Sequence, residues 1–187
     1  MSKDHPAEFA ERLAHYYGED ITLQFGIYLP VPGTVVDARA IHNVHFPCVK
    51  DWFIRASREL APDQEIALQS IVRIGQNGRT MHIPMVDFHQ GVTIEDLKST
   101  VGKLRDYEFR EFFVYDSGRS FHVYCLPLIQ EEELSRFFGR LLILNEPHRH
   151  PWIDSRWIGH RLVAGYGALR WTANSSAHQK EPTRIML

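Results

Sequence analysis

Apolar residues recur at helical spacing in four segments of the chain. Steps of three and four residues between apolar positions place them on one face of an α-helix. In residues 93–107, Leu97, Val101 and Leu104 follow this spacing, and Thr93 stands three positions before the acidic Asp96, the pattern of a capping box. The spacing predicts helices over residues 7–17, 50–60, 93–107 and 131–144.

Other apolar runs are short or alternate with polar residues, which is typical of β-strands. Residues 65–74 and 80–88 flank an Asn77-Gly78 pair, and this arrangement favours a hairpin. Residues 109–115 and 120–128 flank Ser117-Gly118 in the same way. Further strands are predicted at 21–29 and 168–172, and the polar C-terminal tail is expected to be loose.

The order of these elements predicts an α+β fold, with a mixed or antiparallel sheet and helices packed on one face. The length of 187 residues fits one domain, 1–187, and a chain of this size has room for a hydrophobic core. No internal repeat or low-complexity tract divides it.

Composition narrows the class of protein. Hydrophobic residues make up 44% and charged residues 24%, as in soluble globular proteins. No stretch approaches the ~20 apolar residues that cross a bilayer. The first residues carry charges throughout and lack the apolar core of a signal peptide, so we expect a cytoplasmic protein with no membrane contact. Cys48 and Cys125 form no disulfide framework, and we expect both to be buried free thiols. A net charge of −2 excludes a protein that coats nucleic acid by charge alone.

The first candidate site is Asp87-Phe88-His89, at the end of a predicted strand. Alternation places Asp87 and His89 on the same face, where the two side chains could share a metal ion. An Asp at the end of a strand also commonly caps a turn or a helix. The residues alone leave both interpretations open.

The second candidate is the segment from Ser117 to His122. A glycine turn lets backbone N–H groups converge, and the hydroxyls, Arg119 and His122 offer donors that suit an anion. A plain β-turn with a histidine against the sheet is the alternative. The third candidate, Asp154, follows Ile153 in the tail, and a lone acid of this kind is by itself more typical of a surface residue. The His148-Arg149-His150 cluster is expected to be a solvated loop.

Taken in order, Val86-Asp87-Phe88-His89, Ser120-Phe121-His122 and Ile153-Asp154 resemble the three motifs of the archaeo-eukaryotic primase superfamily, the primase-polymerases. Those motifs are an apolar strand ending in Asp-x-Asp, a Ser-x-His on a neighbouring strand, and an apolar-Asp after a helix. The resemblance covers about residues 65–182 and implies an RRM-like primase-polymerase core. Leu169-Arg170-Trp171, with Asn174 and Lys180 after it, resembles a downstream strand and loop of the family more loosely.

The resemblance also implies roles for individual residues. Catalysis and the binding of a divalent metal, Mn²⁺ or Mg²⁺, would fall to Asp87, His89 and Asp154. Binding of a nucleoside triphosphate would fall to Ser117, Arg119, Ser120, His122 and Arg170. His89 stands where the family has a second Asp, and imidazole suits softer ions than Mg²⁺. A site with this Asp-to-His change has three possible outcomes: it prefers Mn²⁺, it binds only one metal ion, or it binds nucleotide without catalysis.

Three functions are consistent with the sequence. The first is a metal-dependent nucleotidyltransferase that adds nucleotides to a 3′-hydroxyl on a single-stranded template or primer-template, with template grip from the core or from a protein partner. The second is a catalytically lapsed primase-like subunit of a larger complex that binds nucleic acid or nucleotide. The third is an unrelated metal-dependent hydrolase, which would need Asp87, His89, His122 and Asp154 to converge on one ion.

Overall fold

The computed structural model describes residues 5–31, 33–34, 38–75 and 78–187, which form five α-helices and ten strands. The helices are α1 (Ala7–Tyr17), α2 (Val49–Glu59), α3 (Ile94–Arg105), α4 (Glu131–Ile143) and α5 (Ser155–Ala164). The strands are β1 (Ile21–Tyr28), β2 (Arg39–His45), β3 (Glu65–Ile74), β4 (Arg79–His82), β5 (Met85–Asp87), β6 (Glu111–Asp116), β7 (Phe121–Leu126), β8 (Ile129–Gln130), β9 (Ala168–Arg170) and β10 (Thr183–Ile185).

The strands form two antiparallel sheets. In the first, the order is β2-β1-β3-β4-β8, and β9 pairs with β3 next to β4. In the second, the order is β10-β6-β7-β5. The predicted α+β class is confirmed, but the strands form two sheets where one was expected. The predicted strand 80–88 divides at Ile83-Pro84, because Pro84 has no N–H to donate to a ladder. Its two halves, β4 and β5, therefore join different sheets.

Two hydrophobic cores lie on the helix-covered faces. The first joins α1 and α2 to β1 and β3, and the second joins α3 and α4 to β5 and β7. The helices therefore do not all pack on one face of one sheet, as expected from the sequence. Fully buried side chains in the first core include Phe9, Leu13, Phe25, Leu68 and Trp171; in the second they include Leu97, Val123, Phe138, Leu141 and Ile153. Burial of each large apolar side chain contributes ~2 kcal/mol.

Helix α3 begins as the sequence predicts. The Thr93 hydroxyl accepts from the Asp96 N–H at 3.2 Å, and the Asp96 carboxylate accepts from the Thr93 N–H at 3.1 Å. The capping box is thus confirmed. The carboxylate near the helix start also offsets the positive end of the helix dipole.

Four elements were not predicted: β2, the two-residue strand β8, α5 and β10. Helix α5 contains Gly159 and buries only Ile158 and Arg161, so its periodic signal is weak. Strand β10 lies in the tail that was expected to be loose, and it is held by pairing with β6. Of the predicted Asn77-Gly78 hairpin turn, Asn77 lies outside the described residues.

The two cysteines differ in their surroundings. Cys125 is a buried free thiol, as predicted, but Cys48 is exposed. It lies in a short 3₁₀ turn, Phe46–Cys48, that leads into α2 on the surface, which the neighbouring apolar residues did not indicate. No helix in the described ranges is both long and apolar enough to cross a membrane.

Glu65 is a buried carboxylate at the start of β3 that anchors the segment after β9. It accepts hydrogen bonds from the hydroxyls of Thr172 and Ser175 (2.7 Å for Ser175), from the N–H groups of Asn174 and Ser175, and from His178 Nδ1 at 2.9 Å. Burial alone raises the pKa of Glu65, but hydrogen bonds from His178, Thr172 and Ser175 outweigh it and lower the pKa to about 2.

We expect Glu65→Gln to lower the free energy of unfolding at pH 7 by about 3 kcal/mol, because an amide presents a donor to groups that are themselves donors. The folded pKa lies below the ordinary 4.5, so the carboxylate stabilises the wild type above pH 4.5 and loses that effect as the pH falls towards 2. Urea unfolding across this range measures both changes. The exposed Glu59 is a matched control, and Glu59→Gln should change stability by less than about 0.5 kcal/mol. Equal stability of Glu65→Gln and wild type at pH 7 would contradict the anchoring role.

Candidate functional site

A cleft of about 310 Å³ opens between the two sheets. The first sheet contributes Tyr28, Arg39 and the strand β9, and the second contributes the end of β5 and the turn before β7. The predicted site residues that line the cleft are Asp87, Ser117, Arg119, Ser120, His122, Asp154 and Arg170. Segments separated by up to 83 positions in the sequence (87 to 170) therefore meet in one place, and His89 is not among the residues that line it.

Asp87 and Asp154 are brought together by backbone pairing. Asp87 ends β5, and its carbonyl accepts from the Asp154 N–H at 3.0 Å. Asp154 is also the N-cap of α5, where its Oδ1 accepts from the Trp157 N–H at 2.9 Å. Asp154 thus combines a place in the cleft with a capping role, which the sequence analysis considered for Asp87 and not for Asp154. The helix start fixes the orientation of its carboxylate.

The environment of Asp87 disfavours its negative charge. Burial raises its pKa, the neighbouring Asp154 raises it further, and Arg170 and Arg161 only partly offset this, so that the pKa reaches about 8. At neutral pH Asp87 is therefore protonated when no cation is present. A bound cation stabilises such a pair of carboxyl groups strongly, because its positive charge offsets the repulsion that favours the protonated form of Asp87.

His122 lies opposite Asp87 on β7, and the two residues are directly paired across the ladder. Its Nε2 lies 3.7 Å from Asp87 Oδ1. Burial, with Arg170 and His178 nearby, lowers the pKa of His122 to about 3, so the imidazole is neutral. Its Nδ1 is buried with no hydrogen-bond partner in the described part of the chain. An unpaired buried nitrogen at a cleft wall is a position that a ligand can satisfy.

The two serine hydroxyls are engaged by the backbone. Ser117 Oγ donates to the Ser120 carbonyl at 3.0 Å, and Ser120 Oγ donates to the carbonyls of Phe88 and His89, the latter at 3.0 Å. The single hydroxyl proton of Ser120 is shared between these two carbonyls, so Ser120 ties the turn before β7 to the residues that follow β5. The turn itself depends on Gly118, whose φ of +97° other residues rarely adopt.

Arg170 and Arg119 occupy different positions in the cleft. Arg170 is buried, and its guanidinium donates to the carbonyls of Ser117 (3.0 Å), Lys180 (3.2 Å) and Thr172. It therefore braces the cleft wall. Arg119 is exposed at the cleft edge, where its charge can meet an anion from solvent.

His89 does not join the two acids. Its Nδ1 lies 2.9 Å from the Gln90 carbonyl, and its ring packs edge-on against His150, with 4.9 Å between ring centroids. The predicted alternation fails because β5 ends at Asp87. Phe88 then forms an isolated bridge with Ile153, and the chain turns at Gln90.

Without His89, the carboxylates of Asp87 and Asp154 remain as donors for a metal ion, and they fit one only if further oxygen ligands complete its shell. No three His, Cys, Asp or Glu side chains in the described ranges are grouped to hold an ion by themselves. This also leaves the third sequence hypothesis, the unrelated hydrolase, without its ligand cluster. Two carboxylates suit Mg²⁺ or Mn²⁺, whose shells are completed by water and phosphate oxygens. The pair Asp87–Asp154 is therefore a fitting donor set for an ion that arrives with a nucleotide.

His178 is a cleft residue that the sequence analysis missed. It lines the cleft while its Nδ1 is held by the carboxylate of Glu65. The two residues are 113 positions apart, and no local pattern connects them. A larger pocket of about 620 Å³ adjoins the cleft and shares Tyr28, Asp87, Asp154 and Trp157 with it.

Comparisons with known proteins agree with the resemblance to primases. A family model of archaeo-eukaryotic primase 1D-like (AEP-like) domains matches residues 48–183. Among solved structures, the crystal structure of primase RepB′ matches with a TM-score of 0.53 at 12% identity, which shows a shared fold. The match covers 96% of this chain and 56% of the RepB′ chain, so the chain spans little more than half of that structure's length. No curated protein matches the chain.

The family model covers most of the chain and contains all three motif segments, Asp87 to His89, Ser117 to His122 and Asp154. The resemblance stated from the sequence, and the primase-type α+β fold it implied, are both confirmed. The chain belongs to the archaeo-eukaryotic primase-like family.

Proposed function

We propose that the cleft binds a nucleoside triphosphate with a divalent metal ion, Mn²⁺ or Mg²⁺, and transfers the nucleotide to a 3′-hydroxyl of a nucleic-acid strand. The observation that carries this proposal is the pairing of Asp87 and Asp154 at the cleft, where burial and the neighbouring carboxylate raise the pKa of Asp87 to about 8. Membership of the primase-like family supports it.

Asp87 and Asp154 would hold the ion, which when bound supplies positive charge against the charge that develops on the phosphates. Asp87 must lose its proton for this. Since its pKa is about 8, ion binding at neutral pH releases a proton, and the affinity for the ion rises with pH up to that value.

Some of the neighbouring side chains would contact the triphosphate, and others would hold the backbone of the cleft in place. Arg119, His122 and His178 would contact the triphosphate, because Arg119 is exposed at the cleft edge and both histidines line the cleft. Ser117 and Ser120 would shape the turn through their backbone hydrogen bonds. Arg170 would hold the Ser117 carbonyl and so keep this turn against the first sheet.

The adjoining pocket suits a base. Trp157 and Tyr28 border both cavities, and an aromatic ring can stack on any nucleobase. The Arg39 guanidinium lies over the Tyr28 ring, 4.0 Å from its centroid, so Trp157 is the more open surface. We therefore place the incoming nucleotide or a template base of a single strand or primer-template there. Template grip beyond this pocket would come from other surfaces of the core or from a protein partner.

Specific contacts favour a second candidate function, a lapsed module that binds nucleotide or nucleic acid without catalysis. The Ser120 hydroxyl and the Arg170 guanidinium are bonded to backbone carbonyls, and His89 lies outside the cleft. Such a module would bind nucleotide without needing the ion.

The first test separates the two functions. With nucleotides, a single-stranded template and Mn²⁺ or Mg²⁺, we expect extension or primer products from the wild type and none from Asp87→Asn. Calorimetry should show triphosphate binding that weakens at least about tenfold without metal. Binding that is indifferent to metal, with no product, would reject the transferase and support the lapsed module.

A second prediction concerns stability. The folded pKa of Asp87, about 8, lies above its ordinary 3.8, so its stabilising effect is complete below pH 3.8 and is lost as the pH rises to about 8. Relative to Asp87→Asn, the wild type should lose about 1.4 kcal/mol of unfolding free energy per pH unit between pH 5 and pH 8. Urea unfolding of both proteins measures this difference. Equal pH dependence would contradict the assigned environment of Asp87.

A third prediction separates the two roles of Asp154. Serine is a good N-cap, so Asp154→Ser should keep α5 and the stability of the fold while removing one ion ligand. Asp154→Ala should lose ~1 kcal/mol of stability as well. Thermal unfolding and Mn²⁺ titration followed by electron paramagnetic resonance measure the two effects. Undiminished Mn²⁺ affinity in Asp154→Ser would remove this residue from the proposed site.

A further inference from the structure

Two histidines beside the cleft share one backbone carbonyl. His89 Nδ1 and His150 Nε2 each lie 2.9 Å from the carbonyl oxygen of Gln90. A carbonyl oxygen only accepts hydrogen bonds, so both nitrogens carry protons. The chain passes closely beneath the second ring: Gly91 has φ +89°, and a Cβ there would meet His150 Nε2 at 3.4 Å.

The segment that carries Asp154 is paired to the same stretch of chain. The His89 N–H donates to the Trp152 carbonyl at 2.8 Å, and the Asp154 N–H donates to the Asp87 carbonyl at 3.0 Å. Residues 87–89 and 152–154 thus form a short antiparallel pair, and this pair is what places the two acids side by side.

Asn145 holds the far side of this pair. Its Oδ1 accepts from the N–H groups of Trp152 (2.9 Å) and Ile153 (2.8 Å), and its Nδ2 donates to the Ile153 carbonyl at 3.0 Å. Three hydrogen bonds from one partly buried side chain fix the course of the backbone immediately before Asp154.

We propose that His89, Asn145 and His150 form a clamp of positioning residues that sets the separation of the Asp87 and Asp154 carboxylates. His89, two positions after the first acid, stands where the family's motif has a second acid, and here it supports the site from outside the cleft. The catalytic consequence rests on the proposed function, but the clamp itself rests on the hydrogen bonds alone.

Two substitutions at position 89 distinguish a clamp from a metal ligand. The Asn amide nitrogen occupies nearly the place of His Nδ1 and can donate to the Gln90 carbonyl, whereas an Asp carboxylate repels that carbonyl. A clamp therefore predicts that His89→Asn keeps the Mn²⁺ affinity and His89→Asp lowers it about tenfold. A direct ligand predicts the opposite order, because Asp is the better ligand for Mn²⁺.

The remaining members supply independent variants. Asn145→Ala should lower Mn²⁺ affinity about tenfold, and Asn145→Asp, which keeps both acceptor bonds, should recover part of the loss. His150→Ala should have a smaller effect, since its ring is exposed. His148→Ala, an exposed neighbour, is the matched control and should leave the affinity unchanged.

The rate of amide hydrogen exchange at Asp154 tests the clamp in the absence of any metal. The Asp154 N–H should exchange about five- to tenfold faster in His89→Asp and Asn145→Ala than in wild type, His89→Asn or His148→Ala, at similar melting temperatures. Unchanged exchange in both weakened variants, or a higher Mn²⁺ affinity in His89→Asp, overturns the clamp. If the wild type binds no Mn²⁺, the proposed function fails, while the exchange pattern still decides the clamp.

Discussion

Two buried charges, Glu65 and Arg170, tie the two sheets together near the cleft, beside the apolar core that the sheets share. Glu65 belongs to the first sheet and binds the segment after β9, which continues into β10 of the second sheet. Arg170 also belongs to the first sheet and donates to the Ser117 carbonyl in the turn of the second. A buried charge is tolerated only when it is paired and hydrogen-bonded, so neither residue can move without loss of these partners. The cleft is the space that this constraint leaves open.

Within that space the protein carries an unfavourable arrangement. Asp87 and Asp154 are held together by backbone geometry, although burial and mutual repulsion disfavour two negative charges there. The strain is relieved by a proton in the free protein and would be relieved by a cation in the bound one. Destabilised groups at a rigid cleft are typical of functional sites, where stability is given up for ligand binding. Ser120 within the cleft, and Asn145 and the histidines beside it, hold the backbone near the two acids through hydrogen bonds.

Much of the fold could be predicted from local sequence patterns. Helix α3 was predicted from its apolar spacing and its capping box, and β3 was predicted to the residue. Each failure has a physical cause. Helix α5 buries few side chains, and β10 exists only through its pairing with β6, so neither produces a periodic signal. The division of residues 80–88 into two strands follows from Pro84, which interrupts the strand ladder within the apolar run Ile83-Pro84-Met85-Val86.

The order of motifs along the chain determined the family and the residues of the cleft, because Asp87, His122 and Asp154 each stand in a recognisable local context. Only the tertiary structure decided where His89 lies. Alternation assigns a face to a side chain only while the strand continues, and β5 ends two residues too early. The same holds for His178, which enters the cleft through a hydrogen bond to a carboxylate 113 positions away. Hydrogen bonds over such a distance arise from the packing of the sheets, and local sequence carries no record of them.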